Sequence, residues 1–207
     1  MFRTQWSRAI LIALPGLLLA GFGAVHPAPL DAANAHWWTT MHVLLLPVFP
    51  LLAVAQWVLL APAHPAVRWT GRVAAFGFAV FYDGLDAVAG IAAGTVTMEQ
   101  HSVTPITGAV FHIGDLLGYI GAGCFLMANL CITATIAQHV GWRALPGGLL
   151  LLAASVSFLD SHIFWPRGVF TMVAVAVGMF LLALAQGSPQ TERTAQQATG
   201  IPSTRTE

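Results

Sequence analysis

The stretch GVFTMVAVAVGMFLLALA, residues 168–185, carries no charged side chain and only one side-chain hydroxyl group, that of a threonine. As an α-helix rising 1.5 Å per residue it would be about 27 Å long, close to the thickness of the hydrocarbon core of a bilayer. A helix that is apolar on every side needs an apolar solvent around it. This stretch therefore predicts a transmembrane helix.

The rest of the chain has the same character, with 57 % hydrophobic and 8 % charged residues in a total of 207. Apolar runs that can span a bilayer occur at residues 9–25, 37–61, 73–96, 106–137, 145–159 and 168–185. The fifth run is short for a span. We predict an all-α integral membrane protein, a bundle of six transmembrane helices within residues 1–187.

The two ends of the chain allow further predictions. Residues 188–207 are polar and poor in bulky apolar side chains, so we expect a disordered cytoplasmic tail. Residues 1–23 combine two arginines, an apolar stretch and small residues, which is also the pattern of a cleaved signal peptide. Under that alternative the bundle would lose one span, but the sidedness of the others would not change.

The arginines predict the orientation, since the chain contains no lysine. Arg167 falls on one side of the six predicted spans. Seven arginines fall on the other side, namely Arg3, Arg8, Arg68, Arg72, Arg143, Arg193 and Arg205. Under the positive-inside rule, both termini are cytoplasmic. We expect a multi-pass protein of the cell membrane, specifically the bacterial inner membrane.

Polar side chains are concentrated in the outer half of the predicted bundle, and several lie deep within spans. A carboxylate inside a bilayer costs several kcal/mol unless it is paired, protonated, hydrated or bound to a cation, so it normally faces the bundle interior. Asp83 and Asp86 are three residues apart, and His112, Asp115 and Tyr119 follow a single helical stripe. We expect these groups to converge in a common site.

Two kinds of residue are candidates for that site. As catalytic residues we predict Asp83, Asp86, Asp115 and Tyr119. As metal ligands we predict His42, His112, His162 and Asp160. Imidazole and carboxylate together suit a transition metal ion such as zinc, copper or iron. A b-type haem between His42 and His112 is a second, less favoured cofactor.

Simpler interpretations exist for some of these residues. Asp160 and Arg167 can form an ion pair in a turn, and buried acids and histidines can be hydrogen-bonded staples between helices. By the same reasoning His26, His36, His101 and His162 lie at the water boundary, where a histidine needs no functional explanation, although His162 is also a candidate ligand.

Several reaction classes are excluded. Without lysine there can be no Schiff base on a lysine side chain, and the sequence has no CxxC, no glycine-rich phosphate loop and no basic patch for nucleic acid.

Three hypotheses are left. The first, which we favour, is a metal-dependent membrane-embedded enzyme acting on a lipidic or small substrate. The others are a proton- or cation-coupled transporter of small solutes, and an accessory or sensor protein with a structural polar network. The expected partners are membrane lipids and a lipidic or small-molecule ligand, while the oligomeric state is left open.

Overall fold

The computed structural model describes residues 2–187, so the predicted tail at 188–207 lies outside the described part of the chain. This part is all-helical and contains no strand, which confirms the predicted class. Eight α-helices follow in order: α1 (Phe2–Ala24), α2 (Ala35–Leu45), α3 (Val48–Leu59), α4 (Pro65–Leu85), α5 (Ala93–Gln100), α6 (Pro105–Val140), α7 (Leu145–Ser161) and α8 (Arg167–Gln186).

Five helical stretches are long and apolar enough to cross a membrane: Thr4–Ala24, Ala35–Leu59, Pro65–Gln100, Pro105–Ser161 and Arg167–Gln186. The fourth stretch has 57 residues and contains a reversal. Gly141, at φ +64, ends α6 and begins a short 3₁₀ turn, Gly141–Ala144, that leads into α7. The rings of Phe125 and Phe158 lie 5.4 Å apart, so α6 and α7 pack side by side.

Proline divides the second stretch into α2 and α3. Pro47 lies between the two helices, where it has no N–H to donate and its ring opposes a continuous helix. Pro47 and Pro50 in the second apolar run predict a kink just below His42, and the structure places the interruption at Pro47.

The third stretch contains a π-helical segment, Asp86–Ala92, between α4 and α5. A π-turn inserts one extra residue into a helix and leaves a backbone carbonyl without its regular partner. Here the indole N–H of Trp38 donates to the carbonyl oxygen of Ala89 at 3.2 Å, which ties the segment to α2. Asp86, predicted as a site residue, begins the segment.

Small residues determine how the helices pack. A Cβ on Gly16 of α1 would lie 3.0 Å from the Cβ of Ala176 on α8, and one on Gly121 of α6 would lie 3.0 Å from the backbone nitrogen of Tyr82. Helices in a membrane have little hydrophobic drive to associate, so close backbone approach supplies much of their attraction. Gly121 therefore lets the backbone of α4 approach α6 closely.

A hydrogen-bonded chain links three helices in the half of the bundle nearer the termini. The Gln56 side-chain amide donates to Asn129 Oδ1 at 2.9 Å, and the Asn129 amide donates to Ser155 Oγ at 2.9 Å. All three residues are fully buried. They form an interhelical staple of α3, α6 and α7.

Candidate metal site

Three histidines from distant parts of the chain meet at the end of the bundle opposite the termini. His26 follows α1, His42 lies in the last turn of α2, and His162 directly follows α7. Each offers one ring nitrogen, and these three nitrogens lie within 4.8 Å of one another. His26 and His42 are buried, and His162 is half-buried. We call these three residues the histidine cluster.

Backbone carbonyls fix the protonation of two of the rings. Nδ1 of His42 lies 2.7 Å from the carbonyl oxygen of Trp38, and Nδ1 of His26 lies 2.7 Å from that of Pro27. A carbonyl oxygen can only accept, so Nδ1 must carry the proton in both rings, which leaves the Nε2 lone pair available. Nε2 of His26 is buried and has no hydrogen-bond partner among the described residues.

The third ring is held by a tyrosine. The Tyr82 hydroxyl lies 2.8 Å from Nδ1 of His162, and the tyrosine side chain is almost completely buried between the rings of Phe49 and Phe158. His162 has a φ of +44, a conformation that non-glycine residues adopt rarely and that the surrounding structure must maintain.

A glycine makes room for His42. A Cβ on Gly90, in the π-helical segment, would overlap the imidazole of His42. The residue that best permits such close contact between backbone and side chain is glycine. The extra residue of the π-turn and the missing side chain thus act together to bring the third apolar stretch against the cluster.

Aromatic rings enclose the cluster. The ring of His26 makes edge contacts with Trp38 and Phe164, at centroid distances of 4.8 and 4.4 Å. The rings of His26 and His42 are 5.1 Å apart. These contacts keep water away, which strengthens electrostatic interactions within the site.

Burial also keeps the two loop histidines neutral. It lowers the pKa of His26 from 6.5 to about 4, a shift that the hydrogen bond to Pro27 partly opposes and that nearby His42 increases. Burial, together with His26 and His42, lowers the pKa of His162 well below its ordinary value. Neutral imidazole is the form that binds metal ions.

A cleft of about 150 Å³ opens beside the cluster. His162 and Tyr82 form part of its wall, and Phe158 and Leu85 supply apolar surface. Its polar residues also include Asp115 and Tyr119 of α6 and Asp160 of α7. The cleft therefore leads from carboxylate and phenol groups to the half-buried histidine.

The predicted metal ligands are distributed unevenly. His42 and His162 belong to the cluster. His112 is exposed on α6 and is not a member. Asp160 is exposed and pairs with Arg167 at 2.6 Å, as the turn interpretation expects, and it is not a member either.

The four predicted catalytic residues lie in three different places in the bundle and do not converge. Asp115 and Tyr119 are exposed on α6 at the cleft instead of facing the bundle interior, because Gly114 and Gly118 form the face of α6 that packs inward. Asp83 is half-buried in a groove between α3 and α4, beside Trp57.

Asp86 is the most isolated of the predicted groups. Its side chain is fully buried, and neither carboxylate oxygen has a hydrogen-bond partner among the residues that the structure describes. It lies one turn after Tyr82 and one turn before Gly90, between the two residues that contact His162 and His42.

His26 belongs to the cluster, so its interpretation as a water-boundary histidine is wrong. The loop after α1 folds back over α2 and places the ring where it is only 7 % exposed. Nothing in the local sequence indicates this return, because the pattern of a histidine before a proline in a loop does not distinguish a buried ring from one in water.

The cluster fits a transition metal ion. A tetrahedral ion with metal–nitrogen bonds of about 2.0–2.1 Å holds its ligand nitrogens about 3.4 Å apart, so small ring rotations would bring the three nitrogens into place. Three neutral nitrogens suit zinc, copper or iron, and three protein ligands leave one position open for water or substrate. The observation that most favours an ion here is the buried Nε2 of His26, which has no hydrogen-bond partner in the described part of the chain.

Comparison of the chain with family models, with curated proteins and with solved structures finds no match.

Proposed function

We propose that the chain is a six-span membrane protein with both termini in the cytoplasm. At 57 residues, the stretch Pro105–Ser161 would be about 85 Å long as a single helix, far more than one crossing needs, so the reversal at Gly141 makes it two spans. The Gln5 side chain donates to the carbonyl oxygen of Leu184, so α1 begins where α8 ends, as an even number of crossings requires. The arginine distribution then gives the sidedness, and the bacterial inner membrane is the proposed location.

We propose further that this protein is a metal-dependent membrane-embedded enzyme, with the histidine cluster as the metal site. The observation that carries this proposal is the convergence of three ring nitrogens within 4.8 Å, two of them on rings already fixed as Nδ1–H tautomers. Metal-binding histidines typically donate their second N–H to a carbonyl or carboxylate in this way.

Each residue would have a distinct role. His26, His42 and His162 would hold the ion, which when bound supplies a Lewis acid and lowers the pKa of a coordinated water. Tyr82 would orient His162. Asp115 and Tyr119, at the cleft, would position the substrate or exchange protons with it.

The volume of the cleft limits the size of the substrate. A volume of about 150 Å³ is below the usual range for drug-sized ligands, about 300–1,000 Å³, so only a small molecule or the polar end of a lipid would fit. Phe158 and Leu85 would contact the apolar part of such a substrate.

Metal analysis tests the proposal. The detergent-purified full chain, expressed with zinc, copper, iron and manganese supplied, is analysed by inductively coupled plasma mass spectrometry and by absorption spectroscopy. We expect about one ion per chain in the wild type and in His112→Ala, whose side chain is exposed outside the cluster, and none in His42→Ala. A Soret band would indicate haem instead. A metal-free wild type would refute the proposal.

One observation favours the transporter as the second candidate. A carboxylic acid as isolated as Asp86 must carry a proton or meet a cation, and such groups inside membrane helices occur in proton and ion carriers. Against it, three buried polar side chains nearer the termini, Gln56, Asn129 and Ser155, are hydrogen-bonded to one another in a staple and are not free to relay protons. Proton uptake by proteoliposomes that is lost in Asp86→Asn but not in Asp83→Asn would support this candidate over the enzyme.

A further inference from the structure

A long groove runs between α1 and α3 in the half of the bundle that contains the termini, remote from the histidine cluster. Its volume is about 640 Å³, within the range of ligand sites. Leu11, Leu14, Leu18, Leu51 and Val58 are among the residues that line its apolar part.

The polar residues of this groove all lie at one end. Thr4, Ser7 and Arg8 line it near the start of α1, and every other lining residue is apolar or proline. A single headgroup site followed by a hydrocarbon channel would have this arrangement.

Arg8 provides the charge that identifies the occupant. Its guanidinium is half-buried and donates to the side-chain oxygen of Gln186, and no acidic side chain pairs with it among the described residues. Neither α1 nor α3 contains an acid. A guanidinium presents five donors and matches the oxygens of a phosphate, so a phosphate would supply the anionic partner that the described residues do not.

The dimensions agree with one leaflet of a bilayer. From Arg8 to Leu18 the groove follows ten residues of α1, about 15 Å. Half of a hydrocarbon core about 30 Å thick is also about 15 Å. We propose that this groove is a binding site for one anionic phospholipid of the leaflet on the side of the termini, with its phosphate on Arg8 and one acyl chain along α1 and α3. The site does not depend on the proposed metal chemistry.

Native mass spectrometry of the full chain, titrated with phosphatidylglycerol, tests the headgroup part. We expect one tightly retained lipid in the wild type and about tenfold weaker retention in Arg8→Gln, the loss of a charge-assisted hydrogen bond. Arg143→Gln removes the same charge from the exposed 3₁₀ turn and should bind like the wild type. Equal weakening in both variants, or equal retention of phosphatidylcholine by the wild type, would overturn the proposal.

A second pair of variants tests the channel without altering Arg8. Leu14→Trp fills the groove, whereas Leu149→Trp adds the same bulk to an exposed position of α7 that does not line it. Loss of the retained lipid in the first variant only is expected. A lipid that persists in Leu14→Trp is not in this groove, and the proposal fails. This pair remains informative if Arg8→Gln does not fold.

Discussion

The hydroxyl of Tyr82 lies 2.8 Å from Nδ1 of His162, and this contact joins the middle of the third apolar stretch to the turn after α7. The two residues are 80 positions apart in the chain. Their rings are nearly parallel, with an interplanar angle of 16°. The phenol therefore fixes both the rotation of the imidazole and the hydrogen bond at its second nitrogen.

Tyr82→Phe removes that hydrogen bond and keeps the ring. If the cluster binds metal, we expect metal affinity to fall by 10–100-fold, the usual effect of losing a group that orients a ligand. The measurement is a competitive titration against a chromophoric chelator. Tyr119→Phe is the matched control, because that hydroxyl is exposed on α6, and it should leave the affinity unchanged. Equal affinities in wild type and Tyr82→Phe would contradict the proposed orienting role.

Gly90→Ala introduces a methyl group where the structure places the His42 ring. We expect the ring to be displaced and the bundle to lose about 1–3 kcal/mol, the cost of overpacking a tight contact. Metal content and thermal unfolding in detergent give the two readouts.

Gly123→Ala controls for the change in helix propensity, since a Cβ there meets nothing within 4 Å. It should unfold at the wild-type temperature or slightly above it. If Gly90→Ala and Gly123→Ala behave alike, the close packing of the π-helical segment against His42 is not important for stability.

The pKa of His26 predicts how stability depends on pH in the metal-free protein. The folded pKa is about 4 and the unfolded value 6.5, so between these values the unfolded chain binds more protons. Stability from this residue is complete above pH 6.5 and declines as the pH falls towards 4, by about 3 kcal/mol in total. Chemical denaturation with a chelator present measures it, and in His26→Gln this part of the decline should be absent. A wild-type curve that coincides with that of His26→Gln across this range would show that the ring is not buried as described.

The sequence predicts the helices well but the site only partly, because helices depend on local sequence whereas the site depends on how distant helices and loops pack. The length of an apolar run is a local property of the sequence. The helix break at Pro47 is local too, because proline lacks an N–H whatever the helix packs against. Which side of a helix faces inward depends on its neighbours. His112, Asp115 and Tyr119 share a stripe, but the glycines of α6 allow closer packing and take the inner face. His26 depends on a loop that folds back, which no spacing in the sequence indicates.

The staple of Gln56, Asn129 and Ser155 gives a prediction that is independent of metal. Asn129 contacts both other side chains at 2.9 Å in a fully buried position, so Asn129→Ala leaves the Gln56 amide without an acceptor. Hydrogen bonds between membrane helices contribute about 0.6 kcal/mol on average and up to about 1.7.

A double-mutant cycle of Asn129→Ala with Ser155→Ala should therefore give a coupling energy in this range, measured by steric trapping or denaturant unfolding in detergent. Asn129→Ala combined with Ser102→Ala, which alters an exposed loop, should be additive. A cycle without coupling would mean that the staple adds no stability. The three buried polar groups would then need an explanation other than stability. Proton transport through this half of the bundle, which the staple otherwise opposes, should then be measured directly.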